Sequence, residues 1–225
     1  MTFDPLYWIL VGPTMLLAVW ASFRVKSTFH HFAQFGVRTG MTGAEAALAV
    51  ARAGGALDVT IERHQGFLSD HYDPRSKTLR LSPDVYDGRS ISSIAVAAHE
   101  AGHAIQHARS YAWLNFRSNM VPVASIGSSV WVWVLLAGML MQQPMLTNLG
   151  ILLFGFTVVF QIVTLPVEFD ASNRAKAVLA ASGIVSTQEE AVGVQKVLSA
   201  AAMTYVAGAL TSVMTLLYLL LRNRD

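Results

Sequence analysis

Four long apolar runs set the pattern of this chain: residues 6–23, 121–141, 146–166 and 201–221, none of which contains Asp, Glu, Lys or Arg. A bilayer core asks for about 20 apolar residues in a helix, so each run predicts a transmembrane helix. The second and third are joined by the short turn Gln142-Gln143-Pro144-Met145. Polar and apolar positions mix only in residues 24–118 and 167–200. In the first of these, Thr42-Gly43-Ala44-Glu45 has the spacing of a capping box and opens an alanine-rich helix that Gly54-Gly55 should close. Residues 57–62 alternate and carry β-branched side chains, predicting a strand. Residues 67–72 and 78–81 flank Asp73-Pro74-Arg75-Ser76-Lys77, a turn sequence, and predict a hairpin. Ser90 is the N-cap candidate of a helix running to about His107. In residues 167–200 two helices are expected, one ending near Gly183 and one starting at Ser186 or Thr187, with Glu189 or Glu190 closing a capping box.

Composition agrees with a membrane protein: 53% of residues are hydrophobic and 13% charged, too apolar for an ordinary soluble domain. The fold class expected is α+β, integral to a membrane. It has about four transmembrane helices (6–23, 121–141, 146–166, 201–221), a small zincin-like domain at 24–118 with a short sheet, and a helical segment at 167–200. The first run follows Asp4 and precedes Arg24 and Lys26, the reverse of a signal peptide's polarity, and reads as a retained anchor. Four spans place 24–118 and 167–200 on one side of the bilayer, and fourteen of the sixteen Lys and Arg fall there; Arg222 and Arg224 are the other two. The positive-inside rule makes that side the cytoplasm. A net charge of +2 without a dense basic run gives no reason to expect nucleic acid, and the absence of cysteine removes disulfides and thiolate metal sites.

The chemistry lies in Val96-Ala97-Ala98-His99-Glu100-Ala101-Gly102-His103. Residues four apart share a helix face, so His99 and His103 can reach one metal ion, and Glu100 can take a proton from metal-bound water. Neutral imidazoles suit zinc, which brings the pKa of its water to about 7. The flanking alanines and Gly102 allow a helix to pack closely in a core. Two histidines are too few, since a catalytic zinc has three protein ligands as a rule. His107 lies on the same stripe, but three successive turns of one straight helix are too nearly collinear to wrap a tetrahedral ion; a place beside the site suits it better. Glu168, just after the third run, falls on the same side of the membrane as the histidines and is the favoured third ligand. Asp170 is its rival or its supporting residue.

The pairing of His99-Glu100-Ala101-Gly102-His103 with Glu168-Phe169-Asp170-Ala171 after a membrane hairpin resembles the gluzincin-type membrane peptidases, among them the HtpX heat-shock proteases and the CaaX prenyl proteases. The run from Ser69 to Ser82, then Val85-Tyr86, Gly88-Arg89-Ser90 and residues 97–107, resembles more closely the YugP-type neutral zinc metallopeptidases of bacteria, over nearly the whole chain. The resemblance implies an endopeptidase of the bacterial cytoplasmic membrane with one Zn2+ per chain. By position, His99, His103 and Glu168 match its zinc ligands and Glu100 its catalytic base. In the HtpX pattern an aspartate four residues after the ligand glutamate supports the first histidine. Here that residue is Ser172, so Asp170 or Asn173 becomes the candidate for that support. His71, Tyr72 and Arg174 are candidate oxyanion donors, and the 67–81 hairpin offers an edge strand for an extended substrate.

The partners implied are a polypeptide substrate and the lipid bilayer; a homo-oligomer or a membrane partner protein is left open. Two other function classes compete. A scaffold or regulator with a structural zinc would have no use for Glu100, which binds no metal. A zinc transporter needs ionisable groups within its spans, and these runs have none.

Overall fold

The computed structural model describes residues 4–67 and 69–223. The chain divides into two compact units, one of Phe23–Leu114 and Val167–Ala202, the other of Met1–Ser22, Asn115–Pro166 and Met203–Asp225.

The first unit carries the mixed polar and apolar sequence. Helix α3 (Gly43–Gly54) opens with the capping box: the Thr42 hydroxyl accepts from the Glu45 N–H, and the Glu45 carboxylate accepts from the Thr42 N–H. Gly55 ends the helix in the left-handed conformation at φ +99, which glycine adopts without a Cβ penalty. Three strands follow, β1 (Thr60–Arg63), β2 (His71–Asp73) and β3 (Thr78–Leu81), in the order β1-β3-β2. β2 and β3 form the expected antiparallel hairpin, with Tyr72 opposite Leu79. Its turn is held by Asp73, whose carboxylate accepts from the Arg75 N–H and the Ser76 hydroxyl. β1 lies parallel to β3 on the other side and starts later than the alternation suggests. Leu57 is exposed, so its apolar side chain is not part of a buried strand face.

After the single turn α4 (Pro83–Tyr86), helix α5 (Ile91–Ala108) runs through the core of this unit. Ser90 caps it, accepting from the Ser93 N–H. Ala95, Ala97, Ala98, Ala101 and Ala104 are buried together with Ala46, Ala47, Val50 and Ala51 of α3. Small side chains let two helix backbones come close, and that is why the motif-bearing helix is alanine-rich rather than leucine-rich.

The apolar runs form helices α1 (Pro5–Leu10), α2 (Gly12–Phe32), α6 (Ala112–Leu140), α7 (Pro144–Ala181) and α8 (Gln188–Arg222). Among the described residues, α6, α7 and α8 are long and apolar enough to cross a membrane. The first run is interrupted at Val11. Pro13 has no N–H to offer the Ile9 carbonyl, which loosens the helix there. In the unit these runs build, the beginning of the chain lies along the end of α8. The Thr211 hydroxyl donates to the Thr14 carbonyl, the Tyr7 and Tyr218 rings meet edge to face, and Asp4 accepts from both Tyr218 and Arg222. Asn223 donates to Asn148 at the start of α7.

One difference from expectation bears on the site. The third and fourth apolar runs do not hand over to separate polar helices; α7 and α8 each continue unbroken through both kinds of sequence. Pro166 lies inside α7, where it forfeits a single backbone hydrogen bond, and a long, well-packed helix tolerates that loss. The capping box at the other helix start is present, with the Thr187 hydroxyl accepting from the Glu190 N–H and the Glu190 carboxylate accepting from the Thr187 N–H.

Candidate metal centre

His99 and His103 stand one turn apart on α5, their rings 4.8 Å between centroids. Glu168 comes to them from α7. Its Oε2 is 3.2 Å from His99 Nε2 and 3.6 Å from His103 Nε2, and one donor atom from each of the three residues fits within 4.8 Å of the others. The close approach depends on Gly102. A Cβ there would fall 2.4 Å from the Ala171 carbonyl oxygen of α7, inside van der Waals contact with a backbone atom that cannot swing away. Glycine between the histidines is therefore what lets α7 bring its carboxylate within reach.

The far side of each imidazole is also engaged. His99 Nδ1 is 3.1 Å from the Ser172 hydroxyl, and His103 Nδ1 is 3.0 Å from Gln106 Oε1. The Gln106 amide has only one orientation compatible with its surroundings: its Nε2 donates to the Val167 carbonyl and to the Asp170 carboxylate, both at 2.8 Å. Its oxygen therefore faces His103, and His103 Nδ1 must carry the hydrogen. In the neutral ring that leaves the Nε2 lone pair pointing at Glu168. A lone pair and a carboxylate converging on one point call for a cation between them, and the set of two imidazoles and one carboxylate fits zinc with an open fourth position.

Electrostatics point the same way. Burial would raise the Glu168 carboxyl, but hydrogen bonds and charge from His103 and His99 outweigh it and hold the carboxyl well below its ordinary range. Burial alone would lower His103, yet the Glu168 hydrogen bond and the nearby Glu100 and Glu168 charges bring it above its ordinary value. The raised value favours a proton on His103 facing Glu168. That proton stabilises the fold at low pH, and the contribution is lost as pH rises through the raised His103 value. Zinc held at that nitrogen would displace it, so zinc affinity should rise with pH across the same window, with up to about one proton released per ion bound. Calorimetric zinc titrations in buffers of different ionisation enthalpy measure that number; binding that is independent of pH and buffer would contradict it.

Glu100 is 8% exposed, and its charge acts on His103 beside it. Asp70 is its acidic neighbour. Burial pushes the Asp70 carboxyl up against hydrogen bonds from the Ser82 N–H and hydroxyl, and the Glu100 charge adds to the rise.

The remaining candidates are placed as follows. Ser172 itself meets His99. Asn173 is exposed, and Asp170 lies behind Gln106, paired with Arg174. The Arg174 guanidinium also covers the Tyr111 ring. His107 is not in the cluster; its Nδ1 is 2.8 Å from the Tyr72 hydroxyl, and burial pushes that phenol up to about 12. His71 is exposed on the edge strand, its Nδ1 2.9 Å from the Ser69 carbonyl oxygen. Sequence reasoning missed Gln106 and Asp70. Gln106 had a signal, being a polar residue one turn beyond His103 on an otherwise buried apolar helix.

A helix-borne histidine pair met by a carboxylate from a second helix is the donor set of a zinc-peptidase centre. The comparisons agree. The model of a family described as "Putative neutral zinc metallopeptidase" matches residues 7–224. The chain is also 48% identical over 212 residues to the "Putative membrane protease YugP" of Bacillus subtilis (strain 168), covering 93% of this chain and 94% of that protein. The chain belongs to this neutral zinc metallopeptidase family. No solved structure matches it.

Proposed function

We propose that the chain is a membrane-anchored endopeptidase in which His99, His103 and Glu168 hold one zinc and Glu100 is the general base. The observation that carries this is the convergence of both Nε2 atoms on the Glu168 carboxylate across two helices. Bound zinc supplies a Lewis acid for the scissile carbonyl and lowers the pKa of water in its open position. Glu100 takes a proton from the attacking water as oxygen adds to the carbonyl carbon, then delivers that proton to the amine nitrogen as the C–N bond breaks. Among the described residues β2 pairs with β3 alone, so an extended substrate can add along its other edge, and His71 on that strand is a candidate oxyanion donor.

Four spans, at 6–23, 121–141, 146–166 and 201–221, are our reading of the membrane part. The antiparallel run of Asp4 to Thr14 along Arg222 to Thr211 supports the first as a partner of the last. The charge asymmetry supports residues 24–118 and 167–200 as the cytoplasmic side, and the bacterial relative's name supports a bacterial membrane. Glu168 follows the third span by two residues, a rise of about 3 Å, so substrates are expected to be membrane-associated or membrane-extracted polypeptides.

The test is hydrolysis by the detergent-purified chain, abolished by a chelator and restored by zinc. With one peptide presented free and bilayer-inserted, the inserted form should be cleaved faster. Equal rates would contradict the substrate class, and activity indifferent to the chelator would contradict the metallopeptidase.

A further inference from the structure

The side chain of Gln106 is fully buried, and three of its four hydrogen-bonding directions are used within one short chain of contacts. Its oxygen takes the His103 Nδ1 hydrogen, and its two N–H groups go to the Val167 carbonyl and the Asp170 carboxylate. Asp170 in turn accepts from Arg174 one helical turn later at 2.5 Å. An amide in a core that only had to be satisfied needs no such sorting of partners. Here the two acceptors on α7 dictate which end of the amide faces α5, and the end that faces α5 dictates which nitrogen of His103 carries hydrogen.

We infer that Gln106 is a positioning residue for the metal centre: it fixes His103 in the form with hydrogen on Nδ1, its Nε2 presented to the ion. The inference rests on the zinc site proposed above. Gln106 touches neither substrate nor metal, and it acts through His103. Partners of this kind orient ligand imidazoles, and their loss costs about 10–100-fold in metal affinity.

The role separates from simple packing by two substitutions. Gln106→Met keeps length and apolar fit but removes the acceptor. Gln106→Glu keeps an acceptor toward His103 at the expense of an added buried carboxyl beside Asp170. A packing role ranks methionine above glutamate; an acceptor role ranks glutamate above methionine.

The experiment is zinc affinity of the full chain in detergent by chelator competition, with wild type and both variants, alongside thermal unfolding of each without metal. The expected result is that Gln106→Met binds about 10–100-fold more weakly, and that Gln106→Glu recovers most of this loss even if its metal-free unfolding temperature is the lower of the two. Wild-type affinity in Gln106→Met would overturn the inference, as would affinity in Gln106→Glu no better than in Gln106→Met. A wild type that binds no zinc would overturn the metal centre itself and the inference with it, and so stands apart from the other two outcomes.

Discussion

Glu100→Gln is expected to remove nearly all peptide hydrolysis and leave the metal centre loaded. The substitution preserves shape and removes only the ability to take a proton. General-base catalysis is worth about 10²–10⁴-fold, so kcat should fall by that order with KM little changed. The Glu100 charge also raises His103 and Asp70, so metal-free unfolding is expected to change only through those two groups. Steady-state kinetics and zinc content on the same preparation check both halves. A variant retaining more than about a tenth of wild-type kcat would contradict the assignment of the base.

The second large effect is expected at a residue with no chemistry of its own. Gly102→Ala puts a methyl 2.4 Å from the Ala171 carbonyl oxygen and 3.1 Å from the Ala171 Cα. Both are backbone atoms of a helix, so relief requires α5 and α7 to separate. Overpacking of this kind costs about 1–3 kcal/mol, and the displacement falls on the two elements that carry the ligands. Zinc affinity should drop by roughly tenfold or more, since about 1.4 kcal/mol is a factor of ten, with Glu168 still present. The same competition assay reads the loss, and a Gly102→Ala protein with wild-type affinity would show that the helix contact does not set the ligand geometry. Alanine is otherwise the better helix former, so greater helix stability alone would push the other way.

What the sequence shows of this site and what it hides divide along the range of the interactions involved. His99, Glu100 and His103 are readable because a single helix places them, and helical periodicity is local. Glu168 is reached by a different route, since the proposed four spans would restrict a third ligand to segments on one side of the bilayer. The β2–β3 hairpin follows from its turn residues, whereas the parallel pairing of β1 with β3 rests on non-local contacts that no local pattern announces. The continuity of α7 through Pro166 is hidden for a similar reason: proline's local penalty points to a helix end, and packing of the whole helix overrides it. Ser172 as the partner of His99 needed the distance between α5 and α7, which Gly102 sets, whereas Gln106 shares α5 with His103. The glycine is visible in the motif, but the atom it makes room for is not.

A structural zinc would require the same three ligands but give Glu100 no task, so activity and metal content have to be read together. Metal content comes first. Zinc per chain, measured on detergent-purified protein reconstituted with zinc, should be about one for wild type and close to none for Glu168→Ala, a substitution that removes the carboxylate while leaving both histidines and their partners in place. Full zinc retention in Glu168→Ala, or no zinc in the reconstituted wild type, would contradict the three-residue centre on which the peptidase account stands.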